Sequence, residues 1–270
     1  MADHSLFSLH DKVAVVTGAC GLLGVQHCRA LAEAGASVVV ADLNEGACKE
    51  LAAALGPQHM ALSLDVTSRA SLEAGRDAIL ARYGHIDVLV NNAAINDMFE
   101  NPLTAKEKSM FEHYPLEQWD RSWQVNVTGM FLCSQVLGTV MAGQQSGSII
   151  NISSTYGIVA PDQSIYRNEA GEQTFYKSPA YPVTKAAVLG FTRYLAAYWG
   201  NKNVRVNALS PGGVENNQDA YFQQNYAAKT LLGRMAAATD YKGAVIFLAS
   251  DASAYTTGAN LVVDGGWTAI

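Results

Sequence analysis

Lys12-Val13-Ala14-Val15-Val16-Thr17 runs straight into Gly18-Ala19-Cys20-Gly21-Leu22-Leu23-Gly24, and the architecture of the whole chain follows from how this stretch folds. The first part is apolar and rich in β-branched residues, with no polar alternation. That is the pattern of a short strand covered on both faces. After the glycines, Val25, Cys28, Leu31 and Ala32 recur at helical spacing, and Gly35 stops that helix. Glycines between a strand and a helix permit a tight turn. They also let backbone approach a pyrophosphate, whose charge the helix N-terminus favours. The spacing is not GxGxxG, so the strand-turn-helix context carries the reading more than the glycines do.

Working outward, the alternation continues. Residues 37–41 (SVVVA) form a second apolar strand ending in Asp42. Residues 47–55 read as a helix closed by Gly56-Pro57, and residues 60–64 as a third strand ending in Asp65. A helix begins at Ser68, and residues 86–90 form a fourth strand ending in Asn91-Asn92-Ala93-Ala94. Residues 95–115 are polar and without clear period. A helix is expected over 116–141, a fifth strand over 148–152 running into Ser153-Ser154, and a second irregular segment over 155–177. A helix starting between Ser178 and Pro182 carries the apolar run Ala186, Val188, Leu189, Phe191, Leu195, Ala196 and Trp199. A sixth strand over 204–208 leads to Ser210-Pro211-Gly212-Gly213-Val214. Helices near 219–229 and 240–250 and a seventh strand over 260–263 complete the chain.

Strictly alternating strands and helices, with strands apolar on both faces, predict an α/β fold: a doubly wound parallel sheet of about seven strands with helices on both faces. One domain over 1–270 is expected, with a dinucleotide-binding half at about 10–150 and a catalytic helix with substrate loops at about 150–270. In such sheets ligands sit beyond the carboxyl ends of the strands. Those ends here carry Gly18, Asp42, Asp65, Asn91, Ser154 and Pro211.

Composition narrows the partners. The chain has 270 residues, 49% of them apolar and 16% charged, enough for one large domain with a sizeable core. Net charge is −6 without a Lys/Arg cluster, which speaks against nucleic acid or an anionic membrane as partner. No apolar run approaches a membrane span, and residues 1–12 show no basic segment followed by an apolar one. Cys20, Cys28, Cys48 and Cys133 form no CxxC pair and the six histidines do not cluster with them, so a reduced cytoplasmic protein without a metal site is expected.

Two positions carry most of the chemistry. Tyr181 and Lys185 are four apart on one helix, so they share a face, and an ammonium beside a phenol favours the phenolate. Asp42 ends the second strand, where a carboxylate can accept hydrogen bonds from both ribose hydroxyls of an adenosine. It would repel a 2′-phosphate, and no Lys or Arg follows closely to offset that, so NAD is expected rather than NADP. Asp65 could bond the adenine amine or cap the helix near Ser68. Cys20 reads as a small loop residue, a redox role lacking an evident partner cysteine.

Together these residues make the chain similar to the short-chain dehydrogenase/reductase family, with its Rossmann fold, over nearly the whole length. The resemblance rests on Thr17-Gly18 to Gly24, Asp65-Val66, Asn91-Asn92-Ala93, Asn126, Ser153-Ser154, Tyr181 with Lys185, Asn207, Pro211-Gly212 and Asp264-Gly265-Gly266. It implies a catalytic tetrad of Asn126, Ser154, Tyr181 and Lys185. Tyr181 would be the acid-base, Lys185 would lower its pKa and bind the nicotinamide ribose, Ser154 would hold the substrate oxygen, and Asn126 would hold a relay water. Spacing alone does not choose between Ser153 and Ser154; the family pattern points to the second. Cofactor contacts are expected from Gly18, Cys20, Gly21, Leu22, Leu23, Gly24, Asp42, Leu43, Asp65, Val66, Asn92, Ala93, Ala94, Tyr181, Lys185, Pro211, Gly212, Val214 and Asn216. The chain departs from the family at Leu22, where the loop usually has a small residue, at Ala94, where NNAG is usual, and in the length of 155–177.

Three segments, 95–115, 155–177 and 213–231, should shape the substrate pocket. Their polar content points to a hydroxylated small molecule, a sugar, sugar acid or polyol, with Ser154, Tyr156, Arg167, Tyr181, Gly213 and Asn217 as contacts and Arg167 a partner for a carboxylate. The alternatives are a 3-oxoacyl reductase, which would more naturally use NADPH, and a non-catalytic NAD-binding protein. Family members are commonly homotetramers through the helices near 119–131 and 188–199.

Overall fold

The computed structural model describes residues 6–96 and 102–270. Its centre is a seven-stranded parallel sheet of order β3-β2-β1-β4-β5-β6-β7. The strands are β1 (Val13–Thr17), β2 (Ser37–Asp42), β3 (Met60–Ser63), β4 (Val88–Asn91), β5 (Gly147–Ile152), β6 (Val204–Pro211) and β7 (Asn260–Val263). The helices are α1 (Leu22–Glu33), α2 (Glu45–Leu55), α3 (Arg69–Tyr83), α4 (Pro102–Ser109), α5 (Leu116–Trp123), α6 (Met130–Gln144), α7 (Ala180–Trp199), α8 (Ala220–Ala227) and α9 (Lys242–Ala249).

The apolar runs serve two cores at once. Val13, Val15, Val39 and Leu89 face one side, where α3, α6 and α7 supply Leu72, Ile79, Leu137, Met141 and Leu195. Ala14, Val16, Val38, Val40, Val88 and Val90 face the other, against Cys28 and Leu31 of α1, Cys48 of α2 and Leu248 of α9. Because successive side chains point to opposite faces, a strand buried on both sides must be apolar at every position. Successive strands are added to one side up to β3 and to the other from β4 on, so the crevice beyond the carboxyl ends of β1 and β4 is the switch point where such sheets bind ligands.

Side-chain caps set several boundaries. Asn44 accepts from the Ala47 amide and Ser68 from the Ser71 amide, so α2 and α3 start one residue after these caps. β6 runs three residues past its expected end at 208. Its polar Ser210 is buried and donates to Asn260 Oδ1 at 2.7 Å, which removes the cost of a hydroxyl inside the sheet.

Two expectations are corrected and one is sharpened. The segment 95–115, read as aperiodic, contains α4, a polar helix with Lys106 and Lys108 in its last turn and therefore no apolar stripe; residues 97–101 of that segment lie outside the described residues. The segment 155–177 is ordered by its own bonds. Gln173 Nε2 donates to the carbonyls of Gln163 and Phe175, Arg167 pairs with Gln173 in a small antiparallel bridge, and Asp162 forms an ion pair with Lys229 at 2.7 Å. Third, Leu116–Gln144 forms one continuous helical run of 29 residues, long and apolar enough to cross a membrane by those criteria alone. Half of its most apolar 18-residue stretch is buried, with Cys133, Val136, Leu137 and Met141 in the core, so core packing accounts for its composition.

Candidate active site

The glycine turn is held from three sides. Gly18 has φ +60°, and a Cβ there would lie 2.7 Å from Ala93 Cα. At Gly24 a Cβ would lie 2.1 Å from the Gly18 carbonyl, so α1 reaches the loop only because that residue has no side chain. Asn92 Nδ2 donates to the carbonyls of Thr17 and Gly18, while Thr17 Oγ1 accepts from the amides of Asn92 and Ala93. Leu22 leaves the path intact: Gly21 remains an extended N-cap, and the Leu22 side chain is half exposed at the cavity. α1 has neither a side-chain cap nor an acid in its first turn, so its amides are available to an anion. These are the features a dinucleotide pyrophosphate requires.

Asp42 stands next to this loop. Its Oδ2 accepts from the Cys20 amide at 3.1 Å and its Oδ1 from the Asn44 amide at 3.2 Å, which fixes the carboxylate. Asp65 has Oδ1 engaged by the Thr67 amide and hydroxyl, while Ser68 caps α3. Leu43 is exposed and Val66 is packed on the core. Cys20 does have a neighbour: Cys48 Sγ lies 3.8 Å from its Sγ. Burial, then the proximity of Cys48, pushes the Cys20 thiol up to about 12, so both sulfurs remain thiols at neutral pH.

Across the crevice, α7 brings Tyr181 and Lys185 under the end of β5. Lys185 is buried; its Nζ donates to the Ile152 carbonyl at 2.8 Å and lies 5.8 Å from the Tyr181 ring centre. Burial lowers Lys185 from 10.5 to about 8. Burial raises the Tyr181 phenol, and a hydrogen bond with Ser154 opposes that rise. The two serines have different partners. Ser153 Oγ is buried and committed to the Lys185 carbonyl at 2.7 Å, whereas Ser154 meets Tyr181. Gly157 allows the turn after Ser154 to touch α7, since a Cβ there would lie 2.6 Å from the Lys185 carbonyl.

Asn126 lies in a π-helical turn, Gln124–Gly129, inside the long helix. Its Oδ1 accepts from the Ile95 amide at 2.8 Å, and its Nδ2 donates to the Ile95 carbonyl and to Thr184 Oγ1. Thr184 in turn donates to the Tyr181 carbonyl. The Asn126 side chain is therefore a clamp between the β4 exit and the first turn of α7, outside the cavity lining. Asn126→Ala strands buried backbone groups and is expected to cost about 1–3 kcal/mol of stability. Thermal unfolding checks this, and an unchanged midpoint would contradict the clamp.

Between these walls lies a cavity of about 780 Å³. Of the expected contacts, Leu22, Leu23, Asn92, Ala94, Ser154, Tyr156, Arg167, Tyr181, Lys185, Pro211, Gly212, Gly213, Val214 and Asn216 line it. Asn217 does not; it is exposed in a left-handed conformation with φ 59°. The cavity adds residues not anticipated as contacts: Asn96, Tyr166, Phe175, Lys177, Phe222 and Tyr226. Most of these lie on segments expected to shape the pocket, but no spacing rule identifies which side chains turn inward.

With this geometry in place, similar proteins become informative. A family profile described as enoyl-(acyl carrier protein) reductase matches residues 18–268. The D-threitol dehydrogenase of Mycolicibacterium smegmatis is 36% identical over 97% of this chain and 95% of its own. The chain belongs to the short-chain dehydrogenase/reductase family. The NAD-dependent glycerol dehydrogenase of Listeria innocua is 33% identical, covering 97% of this chain and 96% of its own. A gluconate 5-dehydrogenase of Burkholderia cenocepacia, solved with NADP and tartrate, is 32% identical with a TM-score of 0.85 and covers 99% of both chains. This dehydrogenase is thus an oxidoreductase for CH–OH groups that works with a nicotinamide cofactor. Its relatives are named for polyols and cyclic alcohols, which gives the 3-oxoacyl alternative less support.

Proposed function

We propose that the protein interconverts a secondary alcohol and its ketone on a polar, hydroxylated small molecule, with NAD as cofactor and Asn126, Ser154, Tyr181 and Lys185 as the working group. The observation that carries this reading is Tyr181 itself: half-buried, hydrogen-bonded to Ser154, beside Lys185, and facing the cavity that opens from the glycine turn. The glycine turn and α1 amides would hold the pyrophosphate, Asp42 the adenosine ribose, and Lys185 the nicotinamide ribose. NAD, when bound, accepts or returns the hydride. For oxidation, the Tyr181 oxygen takes the hydroxyl proton, and Ser154 Oγ steadies the charge left on the substrate oxygen. Asn126 positions the first turn of α7 and, through it, Tyr181. The panel that tests the reading is NADH formation with polyols, sugars and aldonic acids.

The pH dependence follows from the shifts. Oxidation needs the phenolate, and burial holds Tyr181 in its protonated form, so the oxidation rate rises with pH. The Lys185 ammonium favours the phenolate and is lost as pH passes about 8. Oxidation kcat/KM should therefore climb between about pH 6 and about pH 8 and climb less steeply above. Initial rates across that range check this, and a flat or falling profile would contradict it.

Asp42 supports NAD. Its carboxylate is already fixed by two amides, and Leu43, Asn44 and Glu45 bring no positive charge to a 2′-phosphate. A preference for NAD of about 100-fold or more in kcat/KM is expected, and Asp42→Ser should shrink it at least tenfold, in line with the loss of one charge repulsion. An NADP preference in the wild type refutes the reading of Asp42.

A homotetramer in the cytoplasm belongs to the same reading. Val183, Tyr194 and Tyr198 on α7 and Phe131 on α6 are exposed, and the four cysteines are free thiols. Analytical ultracentrifugation tests the assembly.

A further inference from the structure

A third apolar cluster lies apart from the two cores that flank the sheet. Ile165, Tyr226, Met235 and Trp267 are its buried members, with Tyr156, Tyr166 and Phe222 packed against them. This cluster backs one side of the cavity. Tyr166, Phe175 and Phe222 line the cavity and are each half-buried. Tyr166 stands between the other two, its ring centre 5.5 Å from each, edge-on to Phe175 and tilted to Phe222. Phe222 continues at 6.2 Å to Tyr226, which packs on Trp267 at 4.4 Å. The cavity thus has a continuous aromatic wall.

The wall is drawn from two stretches of chain, 155–177 and α8. An ion pair at 2.7 Å between Asp162 and Lys229 ties them together, and the Tyr156 and Tyr166 hydroxyls lie 3.5 Å apart. The wall is therefore preformed. It also shares one space with the reacting oxygen. Burial first, and among the smaller causes the Tyr181 phenol, push the phenols of Tyr156, Tyr166 and Tyr226 up. Arg167, Thr174, Asn216 and Asp219 line the cavity at exposed positions, so they border its mouth.

The wall discriminates by shape and by polarity. The Phe175 and Phe222 side chains offer no hydrogen bond, so a hydroxyl pressed against them loses its water without replacement. An open-chain polyol carries a hydroxyl on every carbon and has no lasting apolar face. A saturated ring holds its hydroxyls at the rim and keeps a flat C–H face, and it has fewer rotors to immobilise.

We infer that the substrate is alicyclic: a secondary alcohol carried on a saturated ring, one face of which lies on Tyr166 and Phe222 while its hydroxyl reaches Tyr181. The inference rests on the alcohol–ketone reading and narrows its substrate class, setting ring compounds above open-chain polyols.

Matched pairs test it: vicinal cyclohexanediol against vicinal secondary hexanediol, their cyclopentane and pentane counterparts, and scyllo-inositol against glucitol. Expected is a ring-to-chain kcat/KM ratio of about 10 or more in at least one pair, from the buried C–H face and the rotors not frozen. Phe222→Ala should cut that ratio by about 10-fold, chiefly through KM, while Tyr166→Phe, which keeps the ring and drops only the hydroxyl, retains it. If Phe222→Ala no longer binds NADH, Phe175→Ala, on the other side of Tyr166, carries the same expectation. Calorimetric titration of the ring members into the NADH-bound protein reads recognition without turnover. Ring binding that weakens in Phe222→Ala supports the inference even if no alcohol in the set is oxidised, an outcome that would instead count against the reaction reading. Open-chain members bound and turned over as well as rings in all three pairs, or a ring-to-chain ratio unaltered by the alanine variant, overturns it.

Discussion

Tyr181→Phe is expected to lower alcohol oxidation by about 10²- to 10⁴-fold, the range supplied by one positioned acid-base group, while the protein still folds and binds NADH. The substitution removes only the oxygen. The ring stays over the same packing, between the Lys177 and Lys185 ammoniums. Ser154 loses its phenol partner and keeps its other bond, accepted from the Tyr156 amide at 3.2 Å. Neither lysine is placed to take over: Lys185 Nζ is bonded to the Ile152 carbonyl, and Lys177 faces the ring. Single-turnover kinetics beside an NADH fluorescence titration separates chemistry from binding. A variant that turns over within tenfold of wild type would contradict the acid-base role.

Gly24→Ala should have the other large effect, on cofactor affinity and stability together. Its Cβ would sit 2.1 Å from the Gly18 carbonyl oxygen and 2.8 Å from two backbone atoms of Ala19. No side chain is there to swing aside, so the turn or α1 must move. Gly18 cannot absorb the shift, because it lies at φ +60° against Ala93 and is bonded to Asn92. A loss of about 1–3 kcal/mol in stability is expected from such overpacking. A larger loss of NADH affinity, about 100-fold or more, is expected because every α1 amide aimed at the pyrophosphate shifts with the helix. Gly21→Ala is the comparison: its Cβ would meet only the Gly18 carbonyl at 3.4 Å, ordinary contact, so its melting temperature should stay near wild type. Equal melting temperatures and equal NADH affinity in Gly24→Ala and wild type would contradict the close approach.

The strands were legible because a parallel sheet covered on both faces favours apolar residues all along them, and Val13 to Val16 and Val38 to Ala41 meet that demand. Asp42 and the glycine turn were legible because each sits where one strand ends. Elements stabilised by something other than an apolar stripe were not legible. α4 carries too few apolar residues to make a stripe, the π turn at Asn126 has no sequence period, and β6 continues through Ser210, whose hydroxyl bonds Asn260. Contacts between distant elements escaped as well. Cys20 and Cys48 belong to different βα units, so no CxxC spacing announces them. Lys177 precedes Tyr181 by four residues in plain sight. Its position over the ring depends on Gln163, at the start of a short 3-10 turn in a segment without an apolar period.

The most direct measurement is the initial rate of cofactor reduction by wild type and Tyr181→Phe, with NAD and with NADP, across the polyol and hydroxy-acid panel. Expected is NAD reduction by the wild type with at least one hydroxylated substrate, a weaker rate with NADP, and loss of both in Tyr181→Phe. No reduction by the NADH-binding wild-type protein with any member of the panel, or a rate that survives in Tyr181→Phe, would contradict the proposed reaction at this site.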